Sequence, residues 1–230
     1  MFLYNTDIYY LILVVPALII AMIAQVKVQS TFTKYSKEQS YRGETAEALT
    51  RKILDANGLD YIRIERVAGD LTDHYDPKNN VIRLSDTVYG SSSIAAIGVA
   101  AHEAGHAVQR KENYAPIRVR NYMLPLTQFA SYAAIPLAML GLIFGNILLP
   151  VGVILFAVTV LFQIVTLPVE FDASKRALNT LRDEYYLDEN ELQGAKKVLI
   201  AAAMTYVASA FVAIMNLLRL ILIANRNRRD

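Results

Sequence analysis

Four long apolar blocks set the terms on which this chain can fold. A helix needs about 20 mostly apolar residues to cross a bilayer's hydrocarbon core, because in lipid every backbone N–H and C=O must be satisfied within the segment. The first block, Ile8 to Val26, carries no charge and one proline. The second and third share one stretch, about 123 to 167, whose 45 residues are too many for one crossing and fit two helices with a turn near Gly145-Asn146 and Pro150. The fourth runs from about Val198 to Leu218, with Arg219 able to snorkel toward headgroups. Between the blocks lie polar stretches, about 27 to 121 and 168 to 196, large enough for one small domain. The expected fold class is a mainly α membrane protein with about four transmembrane helices and a small α+β domain.

Charge sets the orientation. Met1 to Asp7 holds no Lys or Arg, the reverse of a signal peptide's basic start, so residues 1–26 read as a retained anchor. Lys27, Lys34, Lys37 and Arg42 follow the first span, and Arg110, Lys111, Arg118 and Arg120 precede the second. Lys175, Arg176, Arg182, Lys196 and Lys197 lie between the third and fourth. The positive-inside rule therefore expects both polar stretches in the cytoplasm. The tail residues Arg226, Arg228 and Arg229 dissent, since four crossings would put them outside. A net charge of only +2, with no basic stripe, points away from nucleic acid. Cysteine is absent, so a metal site would have to use His and carboxylate ligands.

Local patterns divide the polar stretch further. Residues 43–57 read as a helix from the spacing of Leu49, Ile53 and Leu54, stopped by Asn57-Gly58. Ile62, Ile64 and Val67 alternate as in a strand, Asp76 to Asn80 signals a turn, and Val81 to Ser85 reads as a short strand. Ser91-Ser92-Ser93 offers an N-cap for an Ala- and Gly-rich helix through about Lys111.

That helix carries His102-Glu103-Ala104-Gly105-His106. Four residues apart, His102 and His106 project from one helix face, where two imidazoles can share a Zn²⁺. Glu103 lies beside them, placed to take a proton from a water that the metal activates. Two of the three histidines fall in this pattern; the blander reading is that both only pack an Ala-rich helix. A catalytic zinc needs a third protein ligand. His74, in Asp73-His74-Tyr75-Asp76, reads as a loop histidine. Glu170 is the stronger candidate, because a carboxylate hard against the end of an apolar span is costly unless paired or ligated. His74 and Asp172 stand next in line.

On these residues, together with Ala107-Val108-Gln109, Glu170-Phe171-Asp172-Ala173-Ser174 and the arrangement of spans, the chain resembles the YugP-like family of neutral zinc metallopeptidases of bacterial membranes over nearly its full length. More distantly it is similar to the HtpX-type and CAAX prenyl protease gluzincins. The resemblance implies a zincin-like fold, one zinc per chain held by His102, His106 and Glu170, and Glu103 as general base. Ser174 stands where the distant relatives have an aspartate that supports the metal. The resemblance also implies that an extended substrate pairs with an edge strand, for which Val81, Ile82, Arg83 and Leu84 are the candidates. His74, Tyr75 and Arg176 are available as oxyanion donors.

The expected organisation is an anchor at 1–26, a cytoplasmic domain at 27–121 and a transmembrane hairpin at 122–167. A juxtamembrane helix follows at 168–196, then a fourth span and basic tail at 197–230. The function expected is a multi-pass plasma-membrane zinc endopeptidase of a bacterial cell, cutting unfolded or membrane-associated proteins at the cytoplasmic face. A membrane partner or homo-oligomer stays open. A scaffold with a lapsed metal site is the alternative, and Glu103 argues against it, since a structural zinc needs no base. A transporter would carry buried charges in its spans; here Gln128, Gln163 and Asn216 are the main polar groups.

Overall fold

The computed structural model of the protein describes residues 8–144 and 148–227. Met1 to Asp7, the turn expected at Gly145-Asn146, and Arg228 and Arg229 lie outside the described residues. A π-helical turn, Tyr10–Val14, leads into α1 (Val15–Tyr35). There follow α2 (Ala46–Ala56), β1 (Arg63–Val67), β2 (His74–Asp76), β3 (Val81–Ser85) and α3 (Ile94–Lys111). Three long helices complete the chain: α4 (Ala115–Phe144), α5 (Leu148–Asp183) and α6 (Glu189–Asn227). Among the described residues four helices are long and apolar enough to cross a membrane.

The chain divides into two compact units. One gathers Met1–Gln25, Arg118–Pro168 and Met204–Asp230. Its helices expose apolar side chains, Met22 and Tyr132 among them, as lipid-facing surfaces do. Helix-to-helix contact there rests on small residues. Ala130, Ala134 and Ala138 form a buried stripe at four-residue spacing on α4. A Cβ on Gly152 of α5 would sit 2.8 Å from the Ala134 carbonyl oxygen, so only a glycine permits that approach. Arg219, expected to snorkel, lies with its guanidinium 5.1 Å from the centre of the Tyr10 ring.

The other unit holds Val26–Ile117 and Val169–Ala203. Its core joins Phe32 and Tyr35 of α1, Leu49, Ile53 and Leu54 of α2, the inner residues of the sheet, the alanines of α3, and Ala177, Leu181 and Leu199 from α5 and α6. Asn57 ends α2, and Gly58 takes φ +61°, the left-handed conformation that closes a helix. Ser93 caps α3, its hydroxyl accepting from the Ala96 N–H.

Two expectations need correction. The segment 168–196 is not one juxtamembrane helix. It is the end of α5, a turn, and the start of α6. Asp188 causes the restart, its Oδ1 accepting the N–H groups of Asn190 and Glu191 at 2.8 Å each. Val81–Ser85 is not an edge strand. The sheet order is β1-β3-β2. β1 pairs in parallel from Arg63↔Val81 to Val67↔Ser85, and β2 pairs antiparallel from His74↔Arg83 to Asp76↔Val81. The central position leaves Val81–Arg83 paired on both sides, with no free ladder edge for a substrate there. Val81, Ile82 and Leu84 are fully buried, and Arg83 turns to Glu65 and Asp76.

Candidate metal centre

Helix α3 is buried on almost every face, so its side chains are held rather than solvated. His102 and His106 are partly buried, with side chains 14% and 12% exposed. Their rings meet edge to face, centroids 4.6 Å apart. Helix α5 crosses close by, because Gly105 presents no side chain: a Cβ there would stand 2.8 Å from the Ala173 carbonyl oxygen. This approach delivers Glu170, one turn before Ala173, to the two imidazoles.

The three groups form one cluster, with ligand atoms all within 4.8 Å of one another. Glu170 Oε2 lies 3.4 Å from His102 Nε2 and 3.5 Å from His106 Nε2. Such distances exceed the usual N–H···O range of about 2.7–3.2 Å. They match the edges of a tetrahedron around one ion, about 3.3–3.5 Å for zinc bonds of about 2.0–2.2 Å. Glu170 is 3% exposed, and its Oε2 is buried with no hydrogen-bond partner. A buried carboxylate oxygen without a donor carries a heavy desolvation cost unless a cation meets it. Two imidazoles and one carboxylate are a donor set suited to a reactive Zn²⁺.

The outer hydrogen bonds orient these donors. Gln109 is fully buried; its Nε2 donates to the Val169 carbonyl and to Asp172 Oδ2, both at 2.8 Å. The amide is thereby fixed, so its Oε1, 3.0 Å from His106 Nδ1, must accept. His106 then carries its hydrogen on Nδ1 and turns a free Nε2 lone pair to the cluster. Ser174 Oγ lies 3.1 Å from His102 Nδ1, the partner role expected of an aspartate in the distant relatives. Burial disfavours the His106 imidazolium, but Glu170, Glu103 and Gln109 outweigh it and raise its pKa.

Glu103 is buried on α3 and lies outside the three-donor cluster. Asp73 interacts with it electrostatically. Burial pushes the Asp73 carboxyl up, hydrogen bonds from Ser85 N–H and Oγ pull it down, and the charge of Glu103 raises it again. His74 is elsewhere: exposed, with Nδ1 2.8 Å from the Thr72 carbonyl oxygen and Nε2 3.4 Å from Arg83. Asp172 and Arg176 are tied to each other at 2.6 Å, and Arg176 also reaches Glu112. Gln109 was quoted in the sequence motif without a role; its signal was the i, i+3 spacing from His106, which puts an amide on the same helix face.

The close approach at Gly105 makes a prediction. Gly105→Ala should push the Ala173 backbone, and Glu170 with it, away from the imidazoles, at an overpacking cost of about 1–3 kcal/mol. Metal content and melting temperature should both fall; a variant with wild-type zinc and stability would show that the helices need no glycine to meet.

Residues 10–225 match the protein family described as "Putative neutral zinc metallopeptidase". The chain is also similar to "Putative membrane protease YugP" of Bacillus subtilis (strain 168), 46% identical over 222 residues that cover 96% of this chain and 99% of that protein. No solved structure matches.

Proposed function

The chain belongs to this zinc metallopeptidase family, and on that premise we propose that it is a membrane-embedded zinc endopeptidase that hydrolyses peptide bonds of unfolded or membrane-associated proteins at the cytoplasmic face. The observation that carries the reading is the buried, donorless Glu170 Oε2 facing two Nε2 atoms at 3.4 and 3.5 Å. His102, His106 and Glu170 would hold one zinc, whose Lewis acidity polarises a carbonyl and acidifies water.

The remaining steps belong to side chains. Glu103 accepts a proton from the attacking water on its carboxylate and returns it to the amide nitrogen as the bond breaks. Gln109 and Ser174 hold the imidazole Nδ1 atoms so that both Nε2 lone pairs face inward. Asp73 is braced by Ser85, whose backbone N–H and hydroxyl donate to its carboxylate. An extended substrate would add to the outer edge of β2, His74–Asp76, which no strand covers among the described residues and against which α3 packs. Residues 27–121 are assigned to a zincin-like cytoplasmic domain, with the basic residues that flank the spans setting its side.

Purified protein should bind about one zinc per chain and cleave casein in a chelator-sensitive, zinc-restorable way. Zinc-free protein that cleaves at full rate would sink the reading. Orientation has its own test. The chain has no cysteine, so a single cysteine at Tyr41, which is 93% exposed, reports the side of the membrane. It should label only with a membrane-permeant reagent; labelling of intact cells by an impermeant one reverses the topology.

A further inference from the structure

Apart from the metal cluster, one cavity stands out, about 340 Å³, between the polar ends of α5 and α6. Its walls change character along its length. Phe171 and Ile200, 44% and 49% exposed, give one end an apolar rim. Lys175 and Lys196 line the middle, and Arg182 faces the far end with Glu189. Neither lysine has a carboxylate within ion-pairing distance among the described residues, so two positive charges border an apolar floor uncompensated.

Helix continuity sets the depth. Lys175 stands eight residues past the third apolar block, which ends at Leu167, and Lys196 two residues before the fourth, which begins at Val198. Both helices are unbroken there. At 1.5 Å per residue each lysine lies at most about 12 Å from the end of an apolar run, within side-chain reach of headgroup phosphates. The apolar rim is on the span side of the lysines. Along each helix the order is apolar span, apolar rim, then lysine, the order of tail and phosphate in an anionic lipid.

We propose that this groove binds one anionic phospholipid, its phosphate held by Lys175 and Lys196 and the upper part of an acyl chain laid against Phe171 and Ile200. The size suits a partly enclosed ligand. The proposal does not depend on the peptidase reading.

The test uses full-length protein in phosphatidylcholine bilayers containing a minor fraction of phosphatidylglycerol that carries a photoreactive acyl chain. Wild type should retain phosphatidylglycerol over phosphatidylcholine in native mass spectrometry and crosslink it at α5 and α6 near Phe171 and Ile200. Lys175→Gln with Lys196→Gln should lower that retention roughly tenfold or more, while Lys175→Arg with Lys196→Arg keeps it. Lys34→Gln with Lys37→Gln, basic residues outside the groove, should leave it unchanged. Equal retention by the glutamine pair, or no preference in wild type, overturns the proposal. Complete displacement by inorganic phosphate would reveal a simple anion site and overturn it too, as would a groove that crosslinks an acidic peptide and no lipid. Circular dichroism of each variant separates lost binding from lost fold; should the glutamine pair not fold, the crosslink position in wild type decides alone.

Discussion

Glu103→Gln should leave zinc in place and slow peptide hydrolysis roughly a thousandfold, about 4 kcal/mol of transition-state stabilisation. Glutamine keeps the size and hydrogen-bonding outline of the side chain, and Glu103 is not among the three clustered donors. What it loses is the capacity to take a proton. Its side chain is buried on α3. Metal analysis and casein hydrolysis on the same preparation separate the outcomes. Full activity would remove Glu103 from the chemistry; loss of zinc would make it part of the metal-holding set.

The parts of this molecule legible in the sequence are those fixed by short-range periodicity. Apolar runs long enough to span a bilayer, the 43–57 helical pattern and the capping run Ser91-Ser92-Ser93 before α3 all follow from neighbours a few residues apart, and the corresponding elements are found. The pairing of strands is different in kind. That Ile82 lies between Ile64 and Tyr75 depends on which strands collapse together, and β2, three residues long, leaves almost no alternating signal. The run Val81-Ile82-Arg83-Leu84 does hold a hint, since consecutive buried apolar residues suit a strand covered on both faces. In the candidate site, the imidazole pair is local, and Glu170 was legible through the cost of a carboxylate at the end of an apolar run. Gln109 was not, because its meaning lies in Val169 and Asp172, some sixty residues on. The small side chain of Gly105 likewise gains its purpose only from the Ala173 backbone.

Glu170→Ala should abolish stoichiometric zinc, with an affinity loss well beyond the 10–100-fold typical of removing a group that merely supports a ligand. Two imidazoles alone supply only half of a tetrahedral donor set. A second measurement separates this from unfolding. Wild type should melt higher with zinc than with chelator, by the ordinary linkage of a ligand that binds only the folded state. The alanine variant should melt at one temperature in both, since it has nothing to link. It should also fold without difficulty, because the change deletes a buried oxygen that has no donor. Unchanged zinc would require a different third donor. The nearest carboxylate in sequence, Asp172, is already held by Gln109 and Arg176, and His74 is engaged with Thr72 and Arg83. Either would have to abandon those partners to reach the ion, so a variant that keeps its metal would mean that α5 itself is placed differently against α3.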